Sequence, residues 1–220
     1  FAAAAPLAYG EAAANSRDFE AKRDNYARAI DEYGRFLKEA TDDLLPKRER
    51  HRLLYERGTL CAELGRDAVT GMKGTAEEEE SKEYRATAIE WFDEAVDDLK
   101  KATNFFVTLR ATVDEGAESD SEKALLRDIR EETGRVQMAY GKALYDYAEI
   151  FSGTTEEEEQ KTHDRLLKDA LAVFENITEE YRIFAIRYKA YRHMGMCHRE
   201  LGSFEQTVEF LDKTPAVERA

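Results

Sequence analysis

His193, Cys197 and His198 form the tightest group of side chains in this sequence that could bind a metal ion. His193 and Cys197 are four residues apart, so a helix would place both on one face, and imidazole and thiolate are preferred zinc ligands. Zinc would need further ligands from elsewhere in the chain. Because small and aromatic residues surround this group, we interpret its side chains as helix packing and predict no metal site.

Other catalytic chemistry has little support in the sequence. The chain has no glycine-rich phosphate loop, no nucleophile-elbow motif and no His-Glu-x-x-His motif. Its 47 acidic residues could supply a carboxylate pair for hydrolysis, yet the sequence pattern does not single out any pair as buried. His51 and His163 stand alone, and Cys61 and Cys197 lie in helical patterns that favour buried thiols. We predict no enzyme activity, no catalytic residue and no cofactor.

Composition indicates an acidic helical protein. Charged residues make up 36% of the 220 and prolines number only 3, which favours long helices over strands and tight turns. The formal net charge of −14 opposes binding to nucleic-acid phosphates. Apolar runs such as residues 104–109 are far shorter than the roughly 20 residues of a spanning helix. We predict one soluble all-α domain over residues 1–220, without a nucleic-acid partner or a membrane span.

Two kinds of internal repeat occur. Residues 57–65 and 194–202 both place a glycine before an apolar stretch and end in Glu-Leu-Gly, and Gly58 and Gly195 are 137 residues apart, close to four units of about 34. Four segments also carry a small residue, an aliphatic residue and a large apolar residue four positions after the first. On one helix face, the small residue admits a neighbouring helix and the large one fills the gap. The small and large residues are Ala29 and Tyr33, Ala88 and Phe92, Ala170 and Phe174, and Thr207 and Leu211.

The last unit resembles a tetratricopeptide repeat. Its matching positions are Tyr191, Met194, Gly195 and His198 in a first helix, Gly202 in the turn, and Thr207 and Leu211 in a second helix. In the earlier units the glycine and the small residue are farther apart, which predicts lengthened helices or insertions. The resemblance implies a TPR-like α-solenoid, a right-handed superhelix of antiparallel helix pairs that serves as a scaffold for protein–protein interaction.

A run of four glutamates occurs at residues 77–80 and again at 156–159, each time shortly after Gly-Thr. A duplicated unit of about 80 residues would explain this second likeness. Thr75 with Glu78, and Thr155 with Glu158, have the spacing of capping boxes, in which the acidic side chain also meets the positive end of a helix. We therefore interpret both runs as helix starts and not as cation sites or patches for a basic partner.

Apolar spacing and stop signals predict about eight helices. They cover residues 3–14, 17–41, 46–66, 76–112, 120–151, 156–180, 184–201 and 204–213. Pro46 is expected in a first helical turn, and glycines are expected at helix ends or turns at Gly65, Gly74, Gly116, Gly153 and Gly202. The apolar stripe from Leu126 to Phe151 predicts a long helix packed against the long helix that contains Trp91.

In the family that the chain resembles, the first helices line a concave groove that holds a partner. We place the groove positions by their register relative to Gly58, Gly141 and Gly195, which gives twelve residues. Six of the twelve are basic and none is acidic. Arg and Lys there would bind an acidic segment or a free carboxylate, and Tyr and Met would add apolar contact. Besides Thr59 and Ala62, the positions are the predicted partner-binding residues Arg52, Tyr55, Arg135, Met138, Lys142, Tyr145, Lys189, Arg192, Met196 and Arg199.

Two alternative functions stay open. The first is a bacterial envelope-assembly adaptor, for which the alanine-rich start at Phe1 would suit a processed export precursor. The second is a regulatory subunit of an enzyme or a cryptic hydrolase, which a pocket around His193 and Cys197 would support. Val208 and Leu211 could dock on a second copy of the chain, so a homo-oligomer is also open. The compartment is not determined, with the cytoplasm slightly favoured over the periplasm.

Overall fold

The computed structural model describes residues 19–41, 45–114, 119–181 and 185–213. Within these ranges the chain forms seven α-helices, one short 3₁₀ helix at Glu149–Phe151 and no strand, which confirms the all-α prediction. Each helix packs against the next one along the chain. The helices are α1 (Phe19–Glu39), α2 (Lys47–Gly74), α3 (Glu78–Asp114), α4 (Asp120–Ala148), α5 (Glu157–Glu180), α6 (Ile186–Glu200) and α7 (Phe204–Asp212).

The predicted helix boundaries agree with these to within a few residues, with one clear exception. The predicted helix 46–66 continues to Gly74, so Gly65 does not end it. The predicted helix 120–151 finishes as a 3₁₀ turn after Ala148. Gly153 and Gly202 have φ of 74° and 73°, as turn glycines do. The predicted helix 3–14 and Gly116 lie outside the described residues.

Both glutamate runs begin helices, as predicted, but their hydrogen bonds differ from those expected. The Thr75 hydroxyl accepts from the backbone N–H of Glu77 at 3.2 Å and donates to the Glu80 carboxylate, so Glu78 is not its partner. At the second run Thr154, and not Thr155, makes the equivalent bonds to Glu156 and Glu159. A threonine two residues before each glutamate run, Thr75 or Thr154, therefore makes the same pair of hydrogen bonds at the start of each helix.

A complete capping box starts α4, where none was predicted. The Ser119 hydroxyl accepts from the Glu122 backbone N–H at 3.3 Å, and the Glu122 carboxylate accepts from the Ser119 backbone N–H at 2.8 Å. Together these bonds satisfy two main-chain donors that the helix itself leaves open. The start of α4 is thus determined by local chemistry.

Contacts within the chain define two compact units, Phe1–Phe105 and Phe106–Ala220, with the boundary inside α3. In the first unit, α1 packs against α2 through a cluster of Ala29, Tyr33, Leu45 and Leu53. Arg50 donates to the Leu37 carbonyl at 2.8 Å and to the Ala40 carbonyl at 2.6 Å. Its guanidinium thereby satisfies carbonyls at the end of α1, where the helix dipole favours a cation.

Helices α2 and α3 approach closely at three glycines. A Cβ added to Gly65 would lie 2.7 Å from the Phe92 ring, and one added to Gly58 or Gly71 would meet Leu99 or Tyr84 at 2.9 Å or 2.6 Å. These distances are shorter than any real Cβ contact, so the glycines make room for the large side chains of α3. This is why α2 runs through Gly65 and Gly71 instead of ending there.

A charged group is buried at the same α2–α3 contact. Arg57 donates to the Asp98 carboxylate at 3.0 Å and also pairs with Glu94. Asp98 is only 2% exposed, and burial raises its pKa to about 6 although the Arg57 charge opposes this. The Asp98 carboxyl is therefore costly to ionise in the folded protein.

The second unit repeats the glycine contact. A Cβ on Gly141 of α4 would lie 2.7 Å from the Phe174 ring of α5, as Gly65 does with Phe92. Both phenylalanines are fully buried, which contributes about 1.5–3 kcal/mol for each ring. A Cβ added to Gly195 of α6 would likewise lie 3.0 Å from the Leu211 side chain of α7. The large residues of three predicted pairs, Phe92, Phe174 and Leu211, thus lie against a glycine of the preceding helix.

The predicted stripe of α4 is buried almost throughout. Leu126, Ile129, Val136 and Leu144 are buried, and the Thr133 hydroxyl lies 3.3 Å from the Phe106 carbonyl oxygen of α3. A polar link ties the same part of α3 to the end of α5. There the Arg110 guanidinium donates to both Glu180 oxygens, at 2.5 and 2.7 Å, and to the Tyr181 hydroxyl at 3.2 Å.

Candidate partner-binding face

Eight of the ten predicted partner-binding residues lie on α4 and α6, which contact each other within the second unit. The four positions on each helix follow the same spacing of three, four and three residues. Because that spacing keeps side chains on one side of a helix, the two sets occupy matching stripes. The described structure therefore brings these eight positions to one pair of neighbouring helices.

Arg52 and Tyr55 are placed by their register from Gly58, whereas the contact of Gly65 with α3 is the one that corresponds to Gly141. Gly65 lies against the Phe92 ring as Gly141 lies against the Phe174 ring, whereas Gly58 lies against Leu99. The matching positions on α2 are seven residues later, at Thr59, Ala62, Arg66 and Val69. Two of these are buried, and Arg66 pairs with Glu63. Arg52 lies on α2 beside Glu49 at 3.3 Å, and Tyr55 is half-buried.

Five basic residues on α4 and α6 are exposed, and we call them the basic face: Arg135, Lys142, Lys189, Arg192 and Arg199. Arg135 lies 3.6 Å from Glu131, and Arg199 lies 2.8 Å from Glu200. The side chains of the remaining three, Lys142, Lys189 and Arg192, form no ion pair or hydrogen bond with the described residues. Three cations are thus available to a partner.

The His193 imidazole lies where the two helices meet. Burial lowers its pKa, and the charges of Lys142 on α4 and Arg192 on α6 lower it further. The Lys189 carbonyl and the Asp146 carboxylate act in the opposite direction. Lys142 and Arg192 thus both act on the His193 imidazole, one from each of the two helices. His193 was predicted only as a packing residue, because its sequence neighbours give no sign of the charges on α4.

Tyr145 on α4 is buried, whereas Arg199 on α6 is exposed. Tyr145 is 4% exposed, and burial raises the pKa of its hydroxyl to about 12. The Tyr145 ring is therefore not on the surface. The Arg199 pKa is raised, mainly by its hydrogen bond to Glu200. Met138 and Met196 are half-buried at the corresponding places on the two helices.

The side chains that could have bound a metal are dispersed among packing contacts. The His193 ring lies 5.1 Å from the Phe174 ring, and the His198 ring stacks on Phe210 at 5.3 Å and 6°. Cys197 is fully buried, and burial raises its pKa to about 12. Among the described residues no group of three or more His, Cys, Asp and Glu side chains is arranged to hold a metal ion.

An apolar stripe on α7 is exposed. Phe204 is 70% exposed, Val208 61% and Leu211 36%. Their counterparts on α5, aligned through Thr207 and Ala170, are Leu167, Leu171 and Phe174, and all three are buried. Val208 and Leu211 were predicted as a surface that could dock on a second copy, whereas Phe204 was not.

None of the described helices has the length and apolar character needed to cross a membrane. No protein-family model, no curated protein and no solved structure matches the chain. The tetratricopeptide resemblance and the partner-binding role therefore stay predictions.

Proposed function

We propose that the protein is a scaffold that binds an acidic segment, or a free carboxylate, of another protein on the basic face of α4 and α6. The observation that carries this proposal is the exposure of Lys142 on α4 and Arg192 on α6, two helices in contact, with neither side chain paired to a described residue. A carboxylate placed between them would meet two cations from two helices. Such charge-assisted contacts are stronger than those between neutral groups.

The charge distribution supports the same partner chemistry. The whole chain has 47 acidic and 33 basic residues, yet α6 contains four Arg or Lys side chains and a single glutamate. A local positive face on a negative protein attracts an acidic segment and repels the rest of a strongly acidic partner. Met138 and Met196 would add adaptable apolar contact beside the cations.

We further propose that the helix pairs belong to a tetratricopeptide-like solenoid. The supporting contacts are the repeated approach of a glycine on one helix to a large side chain on the next, at Gly65 with Phe92 and Gly141 with Phe174. Repeat proteins of this type commonly present their first helices to partners. In that arrangement α4 and α6 would be successive first helices.

Charge reversal on the basic face tests the binding proposal. The probe is a fluorescently labelled peptide rich in Glu and Leu with a free C-terminal carboxylate, and its comparison peptide has Gln in place of every Glu. We expect the Lys142→Glu, Arg192→Glu double variant to bind the acidic peptide about tenfold more weakly in fluorescence anisotropy, because each exposed ion pair contributes up to about 1 kcal/mol. Added salt should weaken wild-type binding.

The matched control is the Lys123→Glu, Lys168→Glu double variant. Both lysines are exposed residues of the second unit outside the basic face, and the variant has the same net charge. Equal weakening in the two double variants would show that only net charge matters. That result, or unchanged binding in the first variant, would contradict the proposal.

A further inference from the structure

A cavity of about 290 Å³ lies in the first unit, between α1, α2 and α3, and has no part in the basic face. Leu64 and Ala68 of α2 provide its apolar wall, and the rings of Tyr84 and Trp91 line it from α3. Its volume is close to the lower end of the range for small-molecule sites in proteins, about 300 Å³. The cavity is thus large enough for a small organic group.

The aromatic wall is held in place by close packing. A Cβ added to Gly71 would lie 2.6 Å from the Tyr84 ring, so this glycine gives the ring its position. Tyr84 and Trp91 are seven residues apart on α3 and share one face of that helix. Neither the Tyr84 hydroxyl nor the Trp91 indole N–H is hydrogen-bonded to a described residue. Two ring systems are therefore already positioned toward the cavity.

The charged side chains around the cavity are mainly acidic. Asp67, Glu80 and Glu83 line it, against the single cation of Arg23 on α1. The Glu80 carboxylate accepts from the Thr75 hydroxyl, whereas the Glu83 carboxylate has no ion pair or hydrogen bond with the described residues. Aromatic faces and carboxylates share one preference, since both attract a cation. An anionic ligand would meet three carboxylates.

We propose that this cavity binds an alkylammonium group, supplied either by a free amine or by a lysine side chain of a peptide. The ammonium head would lie against the Tyr84 and Trp91 rings with Glu83 as its counter-ion, and the alkyl part would lie against Leu64 and Ala68. Recognition of ammonium groups by aromatic rings becomes stronger as the site is withdrawn from water. The cavity lies in a different unit from the basic face, so either proposal can fail without the other.

Trp91 provides the measurement, because it is the only tryptophan in the chain. Its fluorescence is followed while spermidine, tetramethylammonium or a short lysine-containing peptide is added at constant ionic strength, with sodium acetate as the anion control. We expect a saturable change with the ammonium compounds at millimolar concentration or below, and none with acetate. Spermidine binding more tightly than the peptide would assign a free amine, and the reverse order would assign a partner's lysine.

Glu83→Gln tests the counter-ion, with Glu90→Gln as its matched control. Glu90 is an exposed glutamate on the same helix that does not line the cavity. We expect Glu83→Gln to weaken ammonium binding about fivefold, as loss of one exposed ion pair does, and Glu90→Gln to leave it unchanged. Trp91→Leu, followed by calorimetry, should abolish binding while circular dichroism shows unchanged helix content. No saturable signal, tighter binding of acetate, or equal effects of the two glutamine variants would overturn the proposal.

Discussion

Burial changes the chemistry available to single side chains in this protein. The Cys197 thiol is fully buried and its pKa is raised to about 12, so it is not a ready source of the thiolate needed to attack a substrate or bind zinc. His193 is likewise mostly withdrawn from water, which lowers its pKa. At neutral pH the imidazole is therefore uncharged and can respond to a charge placed beside it.

Asp98 makes the stability of the protein depend on pH. Its pKa is about 6 in the folded protein and about 4 in an unfolded chain, so the folded state binds more protons between these values. Its contribution to stability is therefore greatest in acid and is lost as pH rises from about 4 through 6. Relative to wild type, Asp98→Asn should become more stable by up to about 3 kcal/mol between pH 4 and pH 7.

Urea unfolding of both proteins across this pH range measures that difference. Asp97→Asn is the control, because it removes the neighbouring exposed carboxylate that pairs with Lys101. A difference between Asp98→Asn and wild type that does not change with pH would contradict the assignment of the pH dependence to Asp98.

At the scale of helices, glycines in this fold mark close contacts between neighbours more often than they mark ends. Gly65 lies against Phe92 in the middle of α2, whereas nothing lies within 4 Å of a Cβ added to Gly74 at the end of that helix. Glycine normally weakens a helix by about 0.5–1 kcal/mol relative to alanine. At Gly65 that cost is offset by the packing of the phenylalanine ring.

Gly65→Ala should therefore destabilise the protein by about 1–3 kcal/mol, as overpacking of a filled core does. Gly74→Ala should leave the free energy of unfolding unchanged or raise it slightly, since it gains helix propensity without a clash. Urea unfolding at neutral pH distinguishes the two. In the Gly65→Ala, Phe92→Leu double variant, the smaller side chain should recover part of the loss, and a purely additive result would contradict direct contact.

The helices themselves were predictable from sequence because apolar spacing and local stop signals are short-range properties. The stripe of α4 and the small–large pairs at Ala88 with Phe92 and Ala170 with Phe174 appear in the sequence as they do in the fold. The end of α2 was not predictable from local sequence, because α2 continues through Gly65 where that glycine packs against Phe92, 27 residues later in the chain. Thr155 was predicted in place of Thr154 for a smaller reason, since adjacent threonines at 154 and 155 look alike in sequence.

The candidate site was predictable only in part. The basic residues of α4 and α6 follow from register, since Gly141 and Gly195 both meet a large side chain of the next helix. On α2 the sequence does not decide the register, because Gly58 and Gly65 are seven residues apart and both contact α3. The Arg57–Asp98 pair and the cavity beside Trp91 join residues far apart in the chain, so no local pattern indicates them.

For the molecule as a whole, sign of charge is the property that connects fold to function. With a net charge of −14, an exposed and unpaired group of cations is unusual in this chain. Lys142, Lys189 and Arg192 form such a group in the second unit, and the first unit has the opposite character at its cavity. Under the two proposals, the two units bind ligands of opposite charge.

The most direct test of the basic face is an NMR titration of the His193 imidazole with and without the acidic peptide. A carboxylate bound between Lys142 and Arg192 should raise the His193 pKa, because it offsets the two charges that lower it. The ring signals of His51 and His163, which lie elsewhere, should not move when the peptide is added. A peptide-induced rise in the His193 pKa that disappears in the Lys142→Glu, Arg192→Glu variant is the result we predict. Absence of peptide binding, or binding that leaves the His193 pKa unchanged, would contradict the proposed role of this face.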